Sequence, residues 1–348
     1  MALTRLLEKT GSRLSRLRTA VRRAANDLYM VNRKDGFLTP VDQPLILISQ
    51  IQRSGGTLLS QLFDGHSAVH AHPHEICIGK PQKWMLRPLP PRLKRSAGRI
   101  FDHMKEAPAE RAIAQGYYAK SSAARWDEGY PFCFNRSMQR RIFRSLLEGR
   151  QLAALTDRDF WDAYLSSYFN AWIDYQSLYG QRKKYVTGFT PRVNMDAESC
   201  DFFFATYPDG YFISIVRDPG GWYASSYRHS KSYQDADAAL EQWKRSTLSS
   251  LELKRRWPDK VLLVDFRDLV ADTEGIMHRL CARLDIPFED ALLKPTFNRM
   301  PILSDSAFEA KKGIDPDVLE RAKTLDPALR RKIDAYTPVY AACEGLFA

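Results

Sequence analysis

Four short apolar runs stand out along the chain, separated by long stretches of mixed character. Residues 45–49, 185–190, 211–216 and 261–265 are dominated by Ile, Leu, Val and aromatic side chains. Runs of that length, bounded by Gly, Pro or charged residues, predict buried strands. Helical spacing follows three of them: Leu58, Leu59, Leu62 and Phe63 after the first, residues 222–227 after the third, and 273–284 after the fourth. Strands alternating with helices predict an α/β fold with a mainly parallel central sheet and helices on both faces. The long interval between the first two strands has little strand signal and reads as a large helical insertion over about residues 78–180. Within it Phe160, Trp161, Tyr164, Leu165, Tyr168, Trp172 and Ile173 form an aromatic stripe, which predicts a helix over 157–179 that buries its rings in a core.

Composition narrows the class. The chain has 348 residues, 44% hydrophobic and 27% charged, as in soluble globular proteins. That length suits one large α/β domain or two smaller ones. The division expected is an arm and linker over 1–40 and a single domain over 41–348. A net charge of +11 favours anionic ligands or surfaces. Charge alone is equally compatible with glycan, acidic lipid headgroup, nucleic acid and nucleotide. Cys77, Cys133, Cys200, Cys281 and Cys343 are scattered and odd in number, which predicts reduced thiols in a cytoplasmic compartment.

The first 25 residues have their own pattern. Arg5, Lys9, Arg13 and Arg16 step along one helical face, while Leu3, Leu6, Leu7, Leu14, Leu17 and Val21 fall largely on another. Such a basic amphipathic helix suits an anionic membrane surface, giving a membrane-peripheral protein. The alternatives are an arm packed on the body or on a second subunit, or an organellar transit peptide. No stretch has the length of a transmembrane helix.

Candidate chemistry begins after the first run, at Arg53-Ser54-Gly55-Gly56-Thr57-Leu58-Leu59. A strand, a glycine turn and a helix start together gather backbone N–H groups where phosphate binds. The loop is not a Walker A motif, because its spacing and its lysine are absent. It resembles the 5′-phosphosulfate loop of sulfotransferases that use 3′-phosphoadenosine 5′-phosphosulfate (PAPS). Arg217-Asp218-Pro219 closes the third run, and Ser225 follows eight residues after Arg217. This resembles the 3′-phosphate site of the same family, where a guanidinium forks onto phosphate and a hydroxyl adds a donor. Phe266-Arg267-Asp268-Leu269, a helix and Asp285-Ile286-Pro287-Phe288 are similar to a further stretch of many sulfotransferases. The resemblance runs from about residue 43 to 306.

The resemblance implies a P-loop-like sulfotransferase architecture and a transferase of the EC 2.8.2 type, with PAPS as sulfuryl donor and PAP as product. Arg53, the backbone of Ser54, Gly55, Gly56, Thr57 and Leu58, and the Thr57 hydroxyl would hold the phosphosulfate. Arg217 and Ser225 would hold the 3′-phosphate. Glu75 matches, with a one-residue offset, the catalytic glutamate of tyrosylprotein and related sulfotransferases, and His74 is the other candidate base. Arg299 and Ser304 belong to a loop expected to close over the nucleotide.

His70, His72 and His74 alternate and would share one face of a strand, but Pro73 interrupts them and no HExxH follows, so no metal is expected. One position departs from the family: Phe189 stands where relatives place a lysine that contacts the sulfuryl group, with Arg192 or a basic residue of the insertion as substitutes. The expected reaction is in-line sulfuryl transfer to a hydroxyl of a glycan, glycolipid or small molecule, without a nucleic-acid partner. The other readings are a non-catalytic PAPS/PAP- or glycan-binding protein on the same fold, and a P-loop phosphotransferase.

Overall fold

All four predicted strands form, each within a residue of its expected end, and a fifth joins them. In chain order they are β1 (Leu45–Ile48), β2 (Val69–Glu75), β3 (Tyr185–Phe189), β4 (Tyr211–Val216) and β5 (Val261–Asp265). The computed structural model describes residues 38–76, 85–106, 109, 132–302 and 313–348. The basic arm of residues 1–25, Cys77 and the 304–306 part of the predicted closing loop lie outside the described residues. The sheet order is β2-β3-β1-β4-β5, and every pairing in it is parallel.

Central β1 shows why its run is continuously apolar. Ile46 and Ile48 face one core with Leu59 and Leu62, while Leu45 and Leu47 face the other. A parallel strand covered on both faces needs apolar side chains in both alternating directions. The first helices of the described residues, in chain order, are α1 (Gly56–Leu62), α2 (Ala97–Met104), α3 (Arg136–Leu146), α4 (Asp157–Ala171), α5 (Ala197–Thr206), α6 (Pro219–Ser226), α7 (Ala236–Arg256), α8 (Phe266–Ala271) and α9 (Thr273–Leu284). Two short helices, α10 (Pro327–Asp334) and α11 (Thr337–Ala341), follow. None of the described helices is long and apolar enough to cross a membrane.

The fifth strand, β2, reads Val-His-Ala-His-Pro-His-Glu and carries no apolar run. It lies at the edge of the sheet, where a proline costs no ladder hydrogen bond. His70, His72 and His74 are buried on its inner face. His70 Nδ1 lies 3.2 Å from the Tyr175 hydroxyl, and the His72 ring packs on Tyr168 with its Nε2 3.3 Å from Glu106.

The predicted aromatic helix is α4, but it ends at Ala171, not at residue 179. Trp172 forms a bridge with Phe134, and Ile173 N donates to Cys133 O at 2.7 Å, so a tertiary pairing outcompetes the next helical turn. Thr156 and Asp159 start the helix as a capping box. Phe160, Trp161, Tyr164, Leu165, Tyr168 and Trp172 are all buried, so the stripe is core.

Because the five strands are parallel, their C-terminal ends share one edge of the sheet. The turn after β1, Glu75 of β2, Phe189 of β3, Arg217 after β4 and Phe266 after β5 all meet there. Open parallel sheets bind ligands beyond that edge.

Candidate active site

The glycine turn after β1 is held in an unusual backbone shape. Arg53 has φ 68°, in the left-handed region that a side chain disfavours. Trp222 Nε1 donates to Gln52 O at 2.8 Å, and Arg217 Nη1 donates to Arg53 O at 3.1 Å. Such strain persists where its surroundings over-determine it. Gly55, at φ 101°, caps α1, and a Cβ there would come within 2.6 Å of the Phe266 ring. A Cβ on Gly56 would collide with Gln50 Nε2 and the Phe189 ring. The helical ladder of α1 starts with Leu59 N donating to Gly55 O, so the N–H groups before Leu59 precede it.

Arg217 leaves the end of β4 almost completely buried. Its Nη2 donates to Val318 O at 3.0 Å, and its guanidinium stacks over Phe266 at 4.2 Å. Its Nε has no hydrogen-bond partner among the described residues. Burial pulls its pKa down to about 9, with the cations of Arg321 and Arg53 adding to the effect, so it is still charged at neutral pH. Trp243 Nε1 donates to Arg217 O at 2.9 Å and fixes the backbone. Arg53 Nε donates to Ser225 Oγ at 3.3 Å, which joins the glycine turn to α6.

These elements surround a cavity of about 260 Å³. Arg53, Gly55, Gly56, Thr57, Leu58, Glu75, Arg217 and Ser225 all line it. The structure thus brings together eight of the residues singled out from the sequence, from four separate chain segments. Ser54 is buried and is not among the lining residues. Neither is His74, whose ring turns to Phe132 and Phe297, while the next residue, Glu75, faces the cavity, as strand alternation requires.

Arg299 is placed elsewhere. Its backbone N donates to Asp64 Oδ2 at 2.7 Å in a hairpin that packs on Gly65, and it is not among the lining residues. Ser304 lies outside the described residues. Among the described residues the C-terminal wall comes from Gly313, Ile314, Asp315, Val318 and Arg321, with Arg321 3.6 Å from Asp315. Those residues sit in a polar, charged stretch with no pattern to single them out.

Neither substitute considered for the missing lysine lines the cavity among the described residues. Arg192 is not a lining residue, because its guanidinium bonds to Gln52 Oε1, the Tyr233 hydroxyl and Gln242 Oε1. Among the described residues the insertion contributes no basic side chain to the cavity. Phe189 does line it, and so does Gln50, a residue that sequence reasoning passed over.

Among the described residues no cluster of His, Cys, Asp or Glu forms a metal-binding group. An anion fits the cavity better, with the Arg53 and Arg217 cations, a buried Arg217 Nε lacking a partner among the described residues, and the backbone N–H groups that precede the α1 ladder.

Three solved structures are similar to the chain, and the first of them shares its fold. The sulfotransferase domain from the curacin biosynthetic pathway is 16% identical over 85% of this chain and 98% of its own, with a TM-score of 0.50. The sulfotransferase domain of the Synechococcus PCC 7002 olefin synthase is 20% identical over 88% and 98%, with a TM-score of 0.46. A sulfotransferase from Alicyclobacillus acidocaldarius is 14% identical over 87% and 95%, with a TM-score of 0.43. No curated protein matches the chain. The family model described as Sulfotransferase family matches residues 44–290, most of the sequence, and the chain belongs to that family.

Proposed function

We propose that this protein is a PAPS-dependent sulfotransferase that moves a sulfuryl group to an acceptor hydroxyl by in-line displacement. The observation that carries the reading is the meeting of Arg53, residues 55–58, Glu75, Arg217 and Ser225 around one cavity. PAPS, when bound, supplies the sulfuryl group and the phosphate leaving group.

The chain's own residues divide the remaining work. Backbone N–H groups of the glycine turn, with Arg53 and the Thr57 hydroxyl, hold the phosphosulfate end, and Arg53 balances negative charge there. Arg217 and Ser225 hold the 3′-phosphate, and the charge of Arg321 supports them. Glu75 lines the same cavity from the β2 end of the shared sheet edge and takes the proton of the acceptor hydroxyl. Between β2 and β4 lie three strand spacings, about 14 Å in all, which separates the base from the 3′-phosphate end. The acceptor class favoured is a glycan, glycolipid or small molecule, on the basic charge and aromatic content of the chain.

Calorimetric titration of 3′,5′-adenosine bisphosphate (PAP) without added metal tests the reading. Binding to the wild type that weakens in Arg217→Ala supports it. A folded wild type that does not bind PAP overturns it. Phe189 in the cavity favours one second reading, a nucleotide-binding protein without turnover. PAP binding with no sulfate transfer across a broad acceptor panel would select that one.

A further inference from the structure

The cavity contains a buried side chain whose polar atoms the fold leaves unpartnered. Gln50 is only 1% exposed, it lines the cavity, and neither its Nε2 nor its Oε1 has a hydrogen-bond partner among the described residues. A buried polar group left unsatisfied is destabilising, and one that lines a cavity is placed to meet a water or a ligand there. A leucine or methionine would fill the same space without that cost.

The position of the amide says what it would meet. Gln50 follows β1, and Arg192 N donates to its carbonyl at 3.0 Å, which fixes its backbone against the segment after β3. A Cβ on Gly56 would collide with both Gln50 Nε2 and the Phe189 ring, so amide and ring lie side by side against the glycine turn. Phe189 is in turn the register partner of Glu75 across β2 and β3. Gln50 therefore stands at the turn on the Glu75 side, whereas Arg217 approaches from β4 on the other side. A ligand that sets its 3′-phosphate on Arg217 and runs past the glycine turn toward Glu75 brings its far end to this amide.

Resting on the sulfotransferase reading, we propose that the Gln50 amide donates to the sulfuryl end of PAPS, beside the Phe189 position where the resemblance places a lysine. An amide is neutral and has both a donor and an acceptor. Its contribution is a directed hydrogen bond to a sulfonate oxygen, with the formal charge left to Arg53. The lack of a partner among the described residues is what keeps the donor available.

The test compares PAP, which lacks the sulfuryl group, with PAPS, titrated calorimetrically into wild type, Gln50→Met and Gln50→Glu. Gln50→Met keeps the length of the side chain and removes the donor. It should weaken PAPS about tenfold while PAP affinity stays within about twofold. Gln50→Glu keeps the shape and turns a carboxylate toward the sulfonate, so its PAPS affinity should fall further, by about a hundredfold. The inference is overturned if PAPS affinity is unchanged in Gln50→Met, or if PAPS and PAP weaken equally. Either result leaves the functional reading standing. A wild type that binds neither nucleotide removes that reading, and the inference with it.

Discussion

The Arg217 guanidinium donates through Nη1 to the backbone carbonyl of Arg53, at 3.1 Å. The bond ties the end of β4 to the one left-handed non-glycine residue of the turn after β1. Through Nη2 the same side chain holds Val318 O, so it also anchors the C-terminal wall of the cavity. Arg217 thus supports the shape of the site that it lines, and its charge and its geometry can be separated by mutation.

Arg217→Ala removes both and should lower PAP affinity about a hundredfold or more. Arg217→Lys restores a point charge, but an ammonium cannot span the Arg53 carbonyl, the Val318 carbonyl and a phosphate in the manner of a planar fork. Its affinity should fall between wild type and Arg217→Ala in the same calorimetric titration. Full recovery in Arg217→Lys would show that the tie to Arg53 is dispensable.

Gly56 is the second sensitive point. A methyl there collides with Gln50 Nε2 and the Phe189 ring, which both sit in the cavity wall. Overpacking of this kind costs about 1–3 kcal/mol. Gly56→Ala should lower the unfolding free energy from urea titration by that amount, seen as a lower midpoint at unchanged slope, and weaken PAP binding. An unchanged midpoint with intact binding would mean that the two side chains swing aside freely.

Glu75→Gln should leave PAP affinity unchanged, because Glu75 approaches from β2, well away from Arg217. Turnover with an accepted hydroxyl substrate should fall by about 10²–10⁴-fold, the usual contribution of a general base. Steady-state sulfate transfer measures it, and full activity in Glu75→Gln would remove Glu75 from that role.

Acid stability should depend on His70. Burial, and then the charge of Lys183, pull its pKa from 6.5 to about 3. The unfolded chain takes up a proton below the ordinary value while the folded chain does not. The stabilisation is complete above about pH 6.5 and declines by about 1.4 kcal/mol per pH unit as the pH falls toward 3. Urea unfolding of wild type and His70→Phe at a series of pH values from 7 to 4 should show a shallower acid decline in the variant. Parallel curves would show that His70 does not titrate on unfolding.

How much of the site could be read in advance follows from where each residue sits relative to a strand end. Arg53 and the glycines come straight after an apolar run, and Arg217 straight after another, so local pattern placed them at the edge where parallel strands bind ligands. Helix α9 was equally legible, since its spacing and caps are local. Strand β2 was not, because an edge strand of alternating histidines with a proline has no apolar run to mark it. The end of α4 was also hidden, because Trp172 leaves the helix to pair with a residue far back in the chain.

The sequence by itself determined the α/β class, four of the five strands and the glycine turn. Each of these rests on apolar periodicity or on residues a few positions apart. Only the tertiary structure decided that Glu75 faces the cavity while His74 turns into the aromatic core, and that Arg299 joins Asp64 away from it. It alone brought Asp315, Val318 and Arg321 to the cavity wall and set the amide of Gln50 against Gly56. Those outcomes depend on which strands become neighbours and on what packs over their ends, and contacts between distant segments leave no local pattern to read.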